Sequence, residues 1–430
     1  MKEEFLHYLW KYKFFAIKEL KTSQNLPLEI LKTGQHNFNS GPDFFNSKIK
    51  IGNQIWVGNV EIHIKSSDWY VHGHQSDTNY DNVILHVVWA NDVEVFGSNN
   101  QVIPTLELSK IVSKDLIGKY QKLFSKPIHW INCENDIHSV DKFTLNNWLE
   151  SLYFERLEQK SIEIQQLLKK CAYDWEATLF KLLAKNFGLK VNGESFLNLS
   201  NSMEFKIVRK EQNNLNKLEA LFFGQAGLLF DELEDGYYRI LQKEYKYLQL
   251  KYDLKPLNKG QFQFFRLRPS NFPTIRISQL SKLYFVNRSL FAKILKAKSK
   301  IDLYSIFDIK PSVYWRDHYN FSSVSSKSNK RLSKSFIDLL LINTIIPLKF
   351  TYYKEMGDVD PTYFLNLIHQ IQPEKNNIIK KYELLLQSNQ EDASIIKNAL
   401  HSQSFLQLKK EYCNLNRCLS CAIGNSLLKD

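Results

Sequence analysis

The chain has 430 residues, 43% hydrophobic and 24% charged, which excludes a disordered protein and points to two or three folded domains. Fifteen glycines and eleven prolines exclude collagen-like and proline-rich chains, and five cysteines exclude a disulfide scaffold, their odd number fitting a reducing compartment. The net charge of +12 is unevenly spread: residues 1–130 carry 14 basic and 13 acidic side chains, residues 241–300 carry 14 and 2.

The opening Met1-Lys2-Glu3-Glu4 lacks the positive start and apolar run of a signal peptide. Phe5, Leu6, Leu9, Trp10, Phe14 and Ile17 recur at helical spacing and predict an amphipathic helix over 2–20. Five strand-like runs follow, 28–31, 44–51, 54–65, 83–89 and 103–108, separated by turn residues such as Gly41-Pro42, Gly52-Asn53 and Gly73. From Thr144 onward the pattern is helical. Trp175 to Phe187 ends at Gly188, and Leu215 to Phe230 contains Gly224 and Gly227, which allow close helix approach. The apolar run Phe336 to Leu348 is too short for a membrane span and reads as a buried helix. The fold class expected is α+β: an N-terminal mixed or antiparallel sheet domain (1–135), then a large, mostly helical region. That region divides into a basic helical domain (136–320), a Ser/Lys-rich linker or loop (321–335) and a C-terminal helical part bearing cysteines (336–430). No internal repeat is present.

The basic window 241–300 interleaves Arg266, Arg268 and Arg276 with Phe262, Phe264, Phe265 and Phe272. Cations neutralise phosphates and aromatic rings stack on bases, so this pattern suits DNA or RNA. A helical domain with core aromatics and solvated lysines has the same composition. With 47 lysines against 10 arginines, the charge is not of the type phosphate forks favour.

Seven of eleven histidines fall within 1–130: His7, His36, His63, His72, His74, His86 and His129. On the run 54–65, Glu61, His63 and Lys65 share one face. Gly52-Asn53 signals a hairpin, and a strict two-residue loop sets Asp43 opposite Ile62, on the wrong face. One extra residue, in the loop or in a bulge near Gly58-Asn59, would set it opposite His63. Two converging carboxylates with a cation nearby are what Mg²⁺- or Mn²⁺-assisted phosphodiester cleavage needs. A half-exposed strand with an ordinary polar face gives the same pattern. His72-Gly73-His74 could bind Zn²⁺ or Mn²⁺, or form a polar loop, and His36 is a further site candidate. Cys413, Cys418 and Cys421 repeat the Cys-x4-Cys-x2-Cys spacing of a plant-type ferredoxin run, with Cys133, Cys171 or His401 as a fourth ligand. A zinc site, or small apolar residues packing a terminal helix, are the other readings.

Gly41-Pro42-Asp43 followed by Glu61-x-His63-x-Lys65, on a hairpin behind a helix containing Glu4, resembles the PD-(D/E)XK nuclease core. The resemblance covers roughly residues 1–110. It implies Asp43 and Glu61 as metal ligands, with Lys65 or His63 as the cationic partner. The family's lysine lies two residues after the acid, where this chain has His63. Some nucleases of that class pin the C-terminus with an iron–sulfur cluster held by one early and three late cysteines, and Cys133 with the terminal three has that outline. Over nearly its full length the chain also resembles an uncharacterised bacterial family of unknown function. The stretches that carry this likeness are Glu3–His7, Gly41–Asn46, Gly58–His63, Ser66–Trp69, Tyr80–Val87, Gly224–Gly227, Arg268–Pro273 and Tyr412–Gly424. That likeness implies no activity or ligand.

The expectation is a cytoplasmic, nucleic-acid-processing protein with a degenerate or active metal-dependent nuclease site and no membrane partner. The alternatives are a non-catalytic nucleic-acid-binding or scaffold protein, and a zinc-dependent small-molecule hydrolase built on His63, His72 and His74.

Overall fold

A computed structural model describes residues 1–37, 39–124, 130–387 and 395–429, so His129 lies outside the described residues. The chain divides into two compact units, Met1–Trp148 with Lys409–Asp430, and Leu149–Leu408. The class is α+β, a mixed sheet followed by a large helical region.

The first unit opens with α1 (Glu3–Tyr12), which buries Phe5, Leu6, Leu9 and Trp10. It stops well short of residue 20 because Lys13 turns left-handed at φ 53°. The strands are β1 (Leu28–Lys32), β2 (Gln35–His36), β3 (Phe44–Ile51), β4 (Gln54–Lys65), β5 (Val83–Ala90) and β6 (Thr105–Glu107), with the short helix α2 (Asp68–Val71) after β4. Their order is β1-β3-β4-β5-β6, with β2 also on β3. The first three of that order run antiparallel, while β4–β5 and β5–β6 are parallel. Helix α3 (Lys114–Phe124) follows.

The register of β3 on β4 decides where Asp43 goes. Ile51 pairs with Gln54 across the two-residue Gly52-Asn53 turn, and the register holds as far as Ser47 with Gly58. It then slips, so that Phe44 faces Val60. The extra residue is on β3, where Asn46 has φ 54°, and not in the loop or near Gly58-Asn59 as expected. The slip runs opposite to the one expected and brings Asp43 beside Glu61. Gly58 has its own reason for being glycine. A Cβ there would lie 2.6 Å from the Asn82 carbonyl and 2.5 Å from Ile84, where β5 also slips a residue against β4.

Past that bulge β4 is buried on both faces: Val60 and Ile62 are fully covered, Glu61 is 5% exposed and His63 1%. The half-exposed polar strand is therefore not what forms. A parallel neighbour on one side and an antiparallel one on the other make β4 an interior strand.

Helix α4 (Lys142–Lys170) carries the division between the units. The second unit continues with α5 (Trp175–Phe187), α6 (Leu189–Asn201), α7 (Phe205–Glu211), α8 (Leu215–Gln225), α9 (Gly236–Tyr252), α10 (Pro273–Val286), α11 (Leu290–Lys296) and α12 (Lys300–Ile306). A small hairpin, β7 (His318–Asn320) with β8 (Ser323–Val324), precedes α13 (Lys334–Leu340) and α14 (Ile346–Glu355). Then come α15 (Pro361–His369), α16 (Asn377–Leu386) and α17 (Ala399–Gln407). Gly188 ends α5 without a left-handed turn. Its role is space, since a Cβ would meet the Asn192 carbonyl at 2.3 Å. Within 321–335, Lys330 and Leu332 are buried, and Lys330 Nζ donates to the carbonyls of Trp315 and Arg316. Residues 334–355 form one nearly continuous helix with a wide π-turn at Leu341–Ile345, just ahead of Pro347, which has no N–H to give. That helix is long and apolar enough to cross a membrane, yet 78% of its apolar window is buried, as in a core helix. The first unit closes with α18 (Ala422–Lys429).

Candidate functional site

The parallel pair β4–β5 sets Glu61 opposite His86. The β3 bulge interlocks the two carboxylates: the Asp43 N–H donates to Glu61 Oε2 at 3.1 Å, and the Ile62 N–H donates to Asp43 Oδ2 at 3.0 Å. From α1, His7 Nε2 lies 3.2 Å from Asp43 Oδ2. His36 stacks on Phe44, 5.2 Å from the His7 ring.

The chain leaving β4 is held by Asp92, whose carboxylate accepts from Ser66 Oγ, the Ser67 N–H and Ser67 Oγ, each at 2.9 Å. Trp69 of α2 is fully buried, and Gly73, left-handed at φ 74°, turns the chain back. That return brings His72 and His74 over His63. The His74 ring stacks on Tyr80 with centroids 3.7 Å apart.

Three imidazoles thus meet, with the Glu61 carboxylate against two of them. His63 Nε2 is 3.0 Å from His72 Nδ1 and 3.5 Å from Glu61 Oε1, and His74 Nε2 is 3.4 Å from the same oxygen. The three imidazoles present ligand atoms within 4.8 Å of one another. A tetrahedral ion with bonds of 2.0–2.1 Å places its donors about 3.3 Å apart, close to the His63–His72, His63–Glu61 and His74–Glu61 distances. His74 Nε2 is a buried nitrogen without a hydrogen bond. The other nitrogen of His63, Nδ1, meets His86 Nε2 at 2.8 Å, an outer contact that fixes the ring.

Electrostatics follow from burial. Glu61 is pushed up to about 9 by burial and by the Asp43 carboxylate beside it. His63 is pushed down to about 2 by burial and by His86, His72 and His74, and His86 to about 3 by burial and His74. Glu3 is raised by burial and by Asp43. For His7, burial opposes the charge, but Asp43, Glu3 and Glu61 outweigh it and raise the value. Neutral imidazoles with free nitrogen lone pairs are the form that binds metals.

The expected site residues therefore divide. Asp43, Glu61, His63, His72 and His74 come together, with His36 beside His7. Lys65 does not join them: it is exposed at the end of β4, and its N–H donates to Asp68. On α1 the acid near the site is Glu3, whereas Glu4 is exposed. Glu3, His7 and His86 were missed as site groups. The signals were present: Glu3 and His7 are four apart on one helix, and His86 is the lone polar residue in the apolar run 83–90. Arg266 and Arg268 are exposed, but Arg276 is interior at 6% exposure. Its guanidinium donates to Gln279 and Asn271 and lies 3.6 Å over the Phe336 ring, so it cannot reach a phosphate at the surface. Cys133 is in the same unit as Cys413, Cys418 and Cys421, and Asn132 Nδ2 donates to Cys418 Sγ at 3.5 Å.

No curated protein and no solved structure matches the chain. One family model does, over residues 3–377, and with that coverage the chain belongs to the family described as "Protein of unknown function (DUF2851)".

Proposed function

We propose that the N-terminal unit is a metal-dependent hydrolase centre acting on phosphodiester bonds. The observation that carries the reading is the grouping of His63, His72 and His74, with Glu61 against His63 and His74 and Asp43 interlocked to Glu61. Three imidazoles and one carboxylate suit Zn²⁺ or Mn²⁺ better than Mg²⁺, which prefers an all-oxygen shell. Such an ion would supply Lewis acidity and a nucleophile at neutral pH. Asp43 stands beside this set and could take part of a second ion or orient a water. His7, raised by its acidic neighbours, supplies the positive charge that Lys65 is too far along the strand to give.

The test uses the whole chain with single- and double-stranded DNA, RNA and a chromogenic phosphodiester, each with Zn²⁺, Mn²⁺ and Mg²⁺. Cleavage is expected with Zn²⁺ or Mn²⁺, and Glu61→Gln or His63→Ala should lower it by about 10³-fold or more, the scale of losing a catalytic metal or its stabilisation of charge. Calorimetric titration should show the same variants losing metal. Cleavage surviving both substitutions would remove the site. Turnover of the small phosphodiester alone would favour the zinc-dependent small-molecule reading.

A second reading, nucleic-acid binding without chemistry, rests on the loop 265–268. There Phe265 is 78% exposed, and the Arg266 guanidinium lies 5.1 Å from its ring centroid. Binding that falls steeply with salt and weakens in Arg266→Ala with Arg268→Ala would support it.

A further inference from the structure

Four of the five cysteines, Cys133, Cys413, Cys418 and Cys421, belong to the first unit, although 280 residues or more separate the first from the rest. All are free thiols. Their backbones are shaped in tight turns. The Cys133 carbonyl accepts from the N–H groups of Asp136 and Ile137, and the Cys418 carbonyl accepts from the Cys421 N–H. Gly424 packs so closely that a Cβ there would lie 2.2 Å from the Cys418 carbonyl. Asn132, next to Cys133, donates to the Cys418 sulfur, which ties the two segments at the sulfur level. Lys409 Nζ reaches the Trp130 carbonyl at 2.6 Å and seats the C-terminal segment on the same loop.

We infer that Cys133, Cys413, Cys418 and Cys421 form a four-thiolate metal centre that pins the C-terminal segment to the 130–140 loop. The ligand is zinc or an iron–sulfur cluster, both of which take four cysteine thiolates. Packing of small apolar residues alone explains the arrangement poorly. Cys413 and Cys418 are only partly buried, and a packing role would not call for a hydrogen-bond donor at the sulfur. This centre does not depend on the histidine site, which uses other residues.

The test is metal analysis of the full chain purified without oxygen, in a His63→Ala, His74→Ala background so that metal held by the histidines does not count. Iron with acid-labile sulfide would identify a cluster, and zinc that gives thiolate-to-metal charge-transfer absorption on cobalt exchange would identify a single ion. Either is expected, lost in Cys133→Ser and in Cys418→Ser, and kept in Cys171→Ser, whose sulfur belongs to the other unit. Should the serine variants fail to fold, loss of the absorption on adding a chelator to the parent chain decides the matter. A parent chain with neither metal, or a metal content that both serine variants retain, overturns the inference.

Discussion

His63 joins the two polar contacts that organise the candidate site. Its Nε2 faces Glu61 and His72, and its Nδ1 is 2.8 Å from His86 Nε2. If Nε2 binds an ion, Nδ1 must carry the proton and His86 must accept it. His86 is wholly buried, so no water can take its place. Replacing it with phenylalanine keeps the bulk and removes the acceptor. His86→Phe should therefore weaken metal binding by about 10- to 100-fold, the usual effect of losing an outer partner. Titration calorimetry with Zn²⁺ would measure it, and an affinity equal to the parent's would show that His86 does not orient the ligand. At this scale the sequence was informative about residue types and weak about partners. The pair Glu61 and His63 could be read from strand alternation. His86 stands out as a lone polar residue in an apolar strand, but its contact with His63 could not be read, because the parallel pairing that brings β5 beside β4 leaves no local mark in the residues.

Between elements, close approach and buried charge set what substitution costs. Gly224 of α8 faces Tyr245 of α9, and a Cβ at 224 would lie 2.0 Å from the Tyr245 ring. That ring is buried and anchored, its hydroxyl donating to Gln225 Oε1 at 2.7 Å, so it cannot swing away. Gly224→Ala should cost about 1–3 kcal/mol by overpacking, and a lowered midpoint in urea unfolding would report it. Lys349 of α14 is 1% exposed and donates to the carbonyls of Ile294 and Ala297 at the end of α11. Burial pushes its ammonium down to about 8. Below that pH both folded and unfolded chains hold the proton, and the cost of burial is constant. Above it, up to the ordinary lysine value near 10.5, the unfolded chain binds a proton that the folded chain has released. Stability should then rise with pH across this window, by on the order of 2 kcal/mol, and Lys349→Met should lack that rise. Unfolding curves at pH 7.5 and pH 10 would test it, and equal slopes in the two proteins would refute it. The strands were legible to within a residue or two at most ends, because turn residues bracket them. The register was not. Asn46 in a left-handed conformation is one of several residue types that such a bulge accepts, so nothing in the sequence said on which strand the extra residue would fall.

At the scale of the whole chain, the first unit is built from two distant segments, residues 1–148 and 409–430. The C-terminal segment is part of that core: Ile423 and Leu428 of α18 are 1% and 3% exposed, and α18 packs on α3. Composition along the chain could not reveal this, since a boundary read from helical periodicity assigns the last residues to the helices before them. The consequence is a test of how the site depends on its unit. A chain ending at Leu408 would leave apolar faces of α3 uncovered and Cys133 without its neighbours. The second unit, Leu149–Leu408, keeps its own buried core, including Phe180, Phe223, Tyr245 and Trp315. Limited proteolysis of the truncated chain should therefore cut first within residues 1–148, while a fragment near 149–408 persists. Metal binding at Glu61, His63, His72 and His74 should fall with it, because an ion site depends on the fold that aligns its ligands. Equal protection of residues 1–148 in the full and truncated chains would mean that the sheet and its histidines stand without the C-terminal helix. The metal site would then be a property of residues 1–148 alone.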